Sequence, residues 1–168
     1  MCNLELLFYA ASHEWYDYLS EAATTYARTL LRTHLRKEPT RRREGYDGML
    51  YSTYHVVNFV PSAGDIKEVR TTQGYSPEST WSRGQAWAIL SYAQTYNWTK
   101  EDDFLVVACG LAEYFLLRME DSPACAEILQ TDGDSTSSEK AGRFVPLWDF
   151  DAPYIILIYD MKAIDLDI

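Results

Sequence analysis

Gln73-Gly-Tyr-Ser-Pro-Glu-Ser-Thr-Trp81-Ser-Arg-Gly-Gln-Ala-Trp87 joins a turn to the start of a helix. Gly74 and Pro77 interrupt regular structure, and Ser79 or Thr80 can cap a helix that runs to about Tyr96. Trp81 and Arg83 then fall in the first helical turn, with Trp87 a turn or more later. A helix N-terminus carries unsatisfied N–H groups and a positive dipole end, so it favours a carboxylate. Arg83 adds a planar fork matched to a carboxylate. Trp81 and Trp87 offer flat apolar faces of the kind that stack on sugar rings. Taken alone, the stretch reads either as a subsite for an anionic sugar or as an arginine braced by two core tryptophans.

Upstream, Leu4, Leu7, Phe8, Ala11, Trp15, Leu19, Ala22, Ala23, Tyr26 and Leu30 recur at helical spacing, predicting a helical first segment. Lys37 to Gly48, with Arg41-Arg42-Arg43, reads as a basic loop: a solvated surface or an attractor of acidic substrates. Tyr51 to Phe59 is rich in β-branched and aromatic residues and reads as a strand. Pro61-Ser-Ala-Gly64 turns the chain, and Ile66–Arg70 returns as its partner, a β-hairpin set between helices.

Downstream, Ala86, Ile89, Leu90 and Ala93 form the apolar face of the helix after Trp81, and Asn97-Trp-Thr-Lys ends it. Thr99 with Asp102 makes a weakened capping box. The next helix is expected to bury Phe104, Val107, Ala108, Leu111, Phe115 and Leu116. Asp121 to Gly142 is polar and reads as a long loop, and the apolar run Ile155–Tyr159 is left unassigned. Helices arriving in hairpin pairs suit a helical toroid or solenoid.

The chain has 168 residues, the size of one domain, and a formal net charge of −10, which argues against nucleic acid and anionic membrane surfaces as partners. Thirteen Tyr and five Trp suit a binding cleft as well as a core. Cys2, Cys109 and Cys125 form neither a disulfide framework nor a metal pattern, and His13, His34 and His55 make no ligand motif. No metal site is therefore expected. The opening residues lack the basic and apolar regions of a signal peptide, and with the reduced thiols this makes the cytoplasm the default compartment. Asn97-Trp-Thr99 matches a glycosylation acceptor and, without a leader, reads as chance.

Five segments in order carry a resemblance: Met1-Cys-Asn-Leu-Glu-Leu-Leu-Phe8, His55-Val-Val-Asn-Phe59, Gln73-Gly-Tyr75, Trp81-Ser-Arg-Gly-Gln-Ala-Trp87 and Trp148-Asp-Phe-Asp-Ala-Pro153. Together they resemble the unsaturated glucuronyl hydrolases, glycoside hydrolase family 88. The resemblance implies a mainly α chain, part of an (α/α)6 barrel, with residues 1–153 as a partial barrel domain and 154–168 as an atypical tail. It implies hydrolysis of an unsaturated uronic acid from the non-reducing end of oligosaccharides left by a polysaccharide lyase. In that reaction an acid protonates the C4=C5 enol ether, water adds at C5, and the resulting hemiketal opens. No metal or organic cofactor is implied. By motif, His55, Gln73, Trp81, Arg83 and Trp87 would line the uronate subsite: His55 near the reacting centre, Gln73 and Arg83 on polar groups, the tryptophans as walls.

The match departs from the family in places. The family's acid/base aspartate stands two positions before the Met of the Met-x-Asn-Leu segment, which here is Met1. The reading therefore expects no catalytic residue within the chain and no turnover by it alone, with Asp149 or Asp151 as minor candidates for replacement. Thr72 stands where some members carry His, and Val60 where Asp is common. A uronate-binding remnant without turnover, or a helical scaffold, are the alternative roles. Source polymer, sulfation preference and oligomeric state are not legible.

Overall fold

The computed structural model describes residues 4–14, 16–122 and 145–153. Its elements run α1 (Leu4–Glu14), α2 (Asp17–Thr33), β1 (Leu35–Lys37), β2 (Tyr51–Thr53), β3 (Val56–Phe59), β4 (Ile66–Arg70), α3 (Ser82–Thr99) and α4 (Asp102–Asp121). The tail from residue 154, most of the predicted polar loop, Cys2 and Cys125 lie outside the described residues.

The predicted first helical segment is two helices packed on each other. α1 buries Leu4 and Phe8, and α2 buries Ala23, Ala27 and Leu30, so each presents a stripe at spacings of three and four. Alanine at positions 23 and 27 lets neighbours approach α2 closely. The second pair, α3 and α4, is joined by the two-residue turn Lys100-Glu101. Leu4, Ala27, Leu30, Ala88, Tyr92, Phe104, Val107, Ala108 and Leu111 form one core across the four helices, with Tyr92 stacked on Phe104 at 6.2 Å.

α3 departs from its predicted face. The helix starts at Ser82, with Trp81 as N-cap and no side-chain cap bond, and continues through Asn97-Trp-Thr99. Its buried residues are Ser82, Gly84, Gln85, Ala88, Ser91, Tyr92 and Thr95; of the predicted face, Ile89 and Ala93 are half-buried against the core, whereas Ala86 and Leu90 are exposed. The polar face is buried because it is bonded: Gln85 Nε2 donates to the carbonyls of Tyr51 (2.9 Å) and Leu111 (3.1 Å), and its Oε1 accepts from Thr53 Oγ1 (3.2 Å). One fully buried amide thus ties α3 to β2 and α4. On α4, Phe104, Val107, Ala108 and Leu111 are buried as expected, but Leu116 is exposed and Phe115 half-buried; Tyr114 and Arg118 take the inner positions.

The expected capping box does not form. Thr99 closes α3, its hydroxyl bonding to the Thr95 carbonyl, and Glu101 is the N-cap of α4 without a side-chain bond. Lys100 turns the chain in the left-handed region, φ 58°. Lys100→Gly should stabilise the chain by about 0.5–1 kcal/mol, read as a rise in urea midpoint, because glycine adopts that conformation without a Cβ penalty.

The predicted strand from Tyr51 is broken at Tyr54-His55. β2 pairs antiparallel with β1, Arg36 opposite Ser52, and β3 pairs with β4, Val57 opposite Val69, with a bulge at Asn58/Phe59. The hairpin turn falls where Pro61 to Gly64 were read, and Gly64 has φ +74°. The basic loop is largely exposed, as a solvated loop would be, and its arginines find local partners. Arg43 pairs with Glu113 and Glu120 of α4, Arg41 faces Glu38 and the Tyr114 ring, and Arg42 donates to the carbonyls of Pro39 and Arg41.

Candidate functional site

The break between β2 and β3 exposes His55 to the N-terminus of α3. Its ring meets Trp81 edge-on at 4.8 Å, and Trp81 meets Trp87 edge-on at 5.2 Å. Arg83 lies over both indoles, its Cζ 4.9 Å from the Trp81 ring and 5.9 Å from Trp87. This arrangement needs Gly84: a Cβ there would come within 2.9 Å of the Trp81 ring, which folds back over the first helical turn. Trp81 is 4 % exposed, so it supports its neighbours more than it faces solvent, whereas Arg83 is exposed. Among the described residues Arg83 has no acid partner and no hydrogen bond.

A cavity of about 270 Å³ opens beside this cluster. His55, Val56, Val57, Gly84 and Trp87 form one wall. Tyr26 and Leu30 from α2 and His34, its C-cap residue, form the other. Of the predicted site residues, the structure brings His55, Trp81, Arg83 and Trp87 together, and His55 and Trp87 reach the cavity. Gln73 is exposed in the loop after β4 and is not among the lining residues. Tyr26 and His34 were not singled out from the sequence as site residues. Their spacing from Leu30, four residues on either side, is the signal that places all three on one helical face.

Both imidazoles are held below their ordinary pKa. Burial is the main cause for each; it takes His34 to about 4, with repulsion from His55 adding to the effect. The Nδ1 of His34 is 2.8 Å from Thr33 Oγ1, whereas the buried Nδ1 of His55 has no partner among the described residues. A depressed folded-state pKa means that the unfolded chain binds the proton more readily. Stability should therefore fall as pH drops from about 6.5 towards 4 and level off below. His34→Gln should flatten that slope in urea titrations at several pH values; an unchanged slope would assign it to other groups.

The segment 148–151 packs against the loop before α3 and the first residues of that helix. The Asp149 carboxylate accepts from Tyr75 N (2.9 Å), Ser79 Oγ (2.6 Å) and Asp151 N (2.9 Å), and it is fully buried. Residue 149 also bridges Trp81 through the backbone. Asp151 accepts from Thr80 N and pairs with Arg118 at 2.8 Å. Burial alone would raise the Asp151 pKa, but the Arg118 hydrogen bond and charge hold it below the usual carboxylate value. Neither acid lines the cavity, so the minor reading of either as a replacement catalyst is not supported: both hold the loop before α3. Ser79 and Thr80, predicted as caps, are the residues held.

No protein-family model matches the chain. The chain is 32% identical over 155 residues to an unsaturated glucuronyl hydrolase of Formosa agariphila, covering 92% of this chain and 31% of the relative. Among solved structures, the unsaturated glucuronyl hydrolase of Bacillus sp. GL1, described as responsible for glycosaminoglycan degradation, aligns with a TM-score of 0.62 at 28% identity, covering 90% of this chain and 31% of that one. A structure named for its dGlcA-Glc-Rha-Glc complex aligns at 0.64 and 27% identity, with the same coverage. The chain thus spans about a third of the length of these relatives. They are (α/α)6 barrels, and the helix pairs and β-hairpins described above are part of such a barrel.

Proposed function

We propose, from the premise that this chain is homologous to the unsaturated glucuronyl hydrolases along most of its length, that it holds the unsaturated uronic acid at the non-reducing end of a lyase-generated oligosaccharide. The observation that carries this reading is Arg83, an exposed guanidinium held over Trp81 and Trp87 without an acid partner among the described residues. A uronate carboxylate would meet that fork, and the sugar ring would lie against Trp87 and the His55 side chain, which both line the cavity. The cavity, about 270 Å³, is small beside the roughly 300–1,000 Å³ of sites for drug-sized ligands, which suits one sugar ring. Gln73 would have to swing in from its exposed loop to share the polar contacts.

In the proposed reaction a proton adds to the C4=C5 enol ether, water adds at C5, and the hemiketal opens to release the next sugar. That proton needs a positioned carboxyl group with a tuned pKa. Among the described residues no cavity wall carries one, and Asp149 and Asp151 are fully engaged. We therefore assign this chain sugar binding without turnover on its own. Titration calorimetry with a 4,5-unsaturated uronyl disaccharide should give binding heat, while the ultraviolet absorbance of the double bond stays constant. Absence of binding heat overturns the subsite. Decay of the absorbance overturns the binding-only assignment and keeps the family reaction.

A further inference from the structure

His55 and Trp81 lie on segments of different origin, one at the end of β2 and the other at the end of the loop that follows β4. The Arg36 side chain ties the two together, and it does not line the cavity. Arg36, in the middle of β1, donates from Nε to Ser52 Oγ (2.8 Å) on the paired strand. One terminal nitrogen donates to the Glu78 carbonyl, and the other to Thr80 Oγ1 (2.7 Å). The guanidinium also covers the Tyr54 ring at 4.5 Å, and the Tyr54 hydroxyl donates to Glu78 Oε2 (3.0 Å). Arg36 therefore touches the residue immediately before each facing ring: Tyr54 before His55, and Thr80 before Trp81.

We propose that Arg36 is a positioning residue, which sets the approach of His55 to Trp81 and so preforms the subsite beside Arg83. Its planar fork spans strand and loop in one rigid plane; a lysine offers a compact ammonium without the separated donors of that fork. Thr80 is held from the opposite side through its N–H to Asp151, so the loop is gripped at one residue from two directions. Fixing the rings before the sugar arrives removes an ordering cost from binding. The effect on sugar affinity rests on the function proposed above; the effect on the ring pair does not.

The test uses the full chain with Arg36→Lys, Arg36→Met and Thr80→Val, the last removing one acceptor while keeping the buried shape. The nuclear Overhauser contact between the His55 and Trp81 rings is measured, and then affinity for an unsaturated uronyl disaccharide. The expected result is loss of the ring contact in the folded variants, with affinity down roughly tenfold, while amide protection in α4 is kept. An unchanged ring contact in Thr80→Val and Arg36→Lys overturns the proposal, even if Arg36→Met unfolds. A lost ring contact in a chain whose wild type binds no disaccharide supports the positioning role and overturns only the sugar reading.

Discussion

Asp149→Ala will destabilise the chain by roughly 3–5 kcal/mol, read from the urea midpoint at constant m value. The carboxylate is fully buried and accepts from Tyr75 N, Ser79 Oγ and Asp151 N. Removing it strands the backbone N–H groups of Tyr75 and Asp151, while Ser79 Oγ can still donate to the Ser76 carbonyl (2.8 Å). Nor can the surroundings close over the gap readily, because the packing is already tight: a Cβ on Gly74 would collide with Asp149 Oδ2, the Thr71 methyl and Ser79 Oγ. Asp149→Asn should cost less, since the amide oxygen still accepts, but its NH2 faces donors. A loss below about 1 kcal/mol for Asp149→Ala would mean that water replaces the carboxylate, and that the loop before Trp81 is held by Arg36 and Asp151 alone.

Arg83→Ala has the opposite profile. It should weaken binding of an unsaturated uronyl disaccharide by about 2 kcal/mol or more, roughly thirtyfold, while stability stays within about 0.5 kcal/mol. The stability part follows from its exposure and from the lack of any hydrogen bond to the rest of the described chain. The binding part follows from the fork standing over Trp81 and Trp87 at the cavity edge. Arg83→Lys keeps the charge but loses the second parallel hydrogen bond, so its affinity should fall between the two. Calorimetry on the three proteins decides the matter; equal affinities would remove Arg83 from the subsite.

The start of α3 was legible to within a few residues because Gly74, Pro77, Ser79 and Thr80 have strong local preferences. Its buried face was legible only in part, through Ile89 and Ala93, which pack on the core. Hydrophobic periodicity selects Ala86 and Leu90, but both face out, and the inner positions go to Ser82, Gln85, Ser91 and Thr95. Burying Gln85 requires acceptors from β2 and α4, and such long-range partners leave no trace at neighbouring positions. β1 is three residues long and carries Arg36 and Lys37, so it resembles the basic loop that follows it. In the candidate site, His55, Trp81, Arg83 and Trp87 stood out as motif residues. Tyr26 and His34 reach the cavity from a helix that read as core alone. The Trp148-Asp-Phe-Asp segment was noticed as a motif, but its acids looked like chemistry and proved to be fastenings.

The fastening has a consequence for how the chain comes off the ribosome. Ser79 waits for a partner 70 residues later, at Asp149, and Thr80 for one 71 residues later, at Asp151. At about 5–20 residues per second of synthesis, that interval lasts several seconds. Throughout it the loop before Trp81 has its earlier-made neighbours, Arg36 and Tyr54 among them, and α3 and α4 can already pair. A nascent chain halted just short of residue 149 would carry every aromatic ring of the candidate subsite with its doorway half hung.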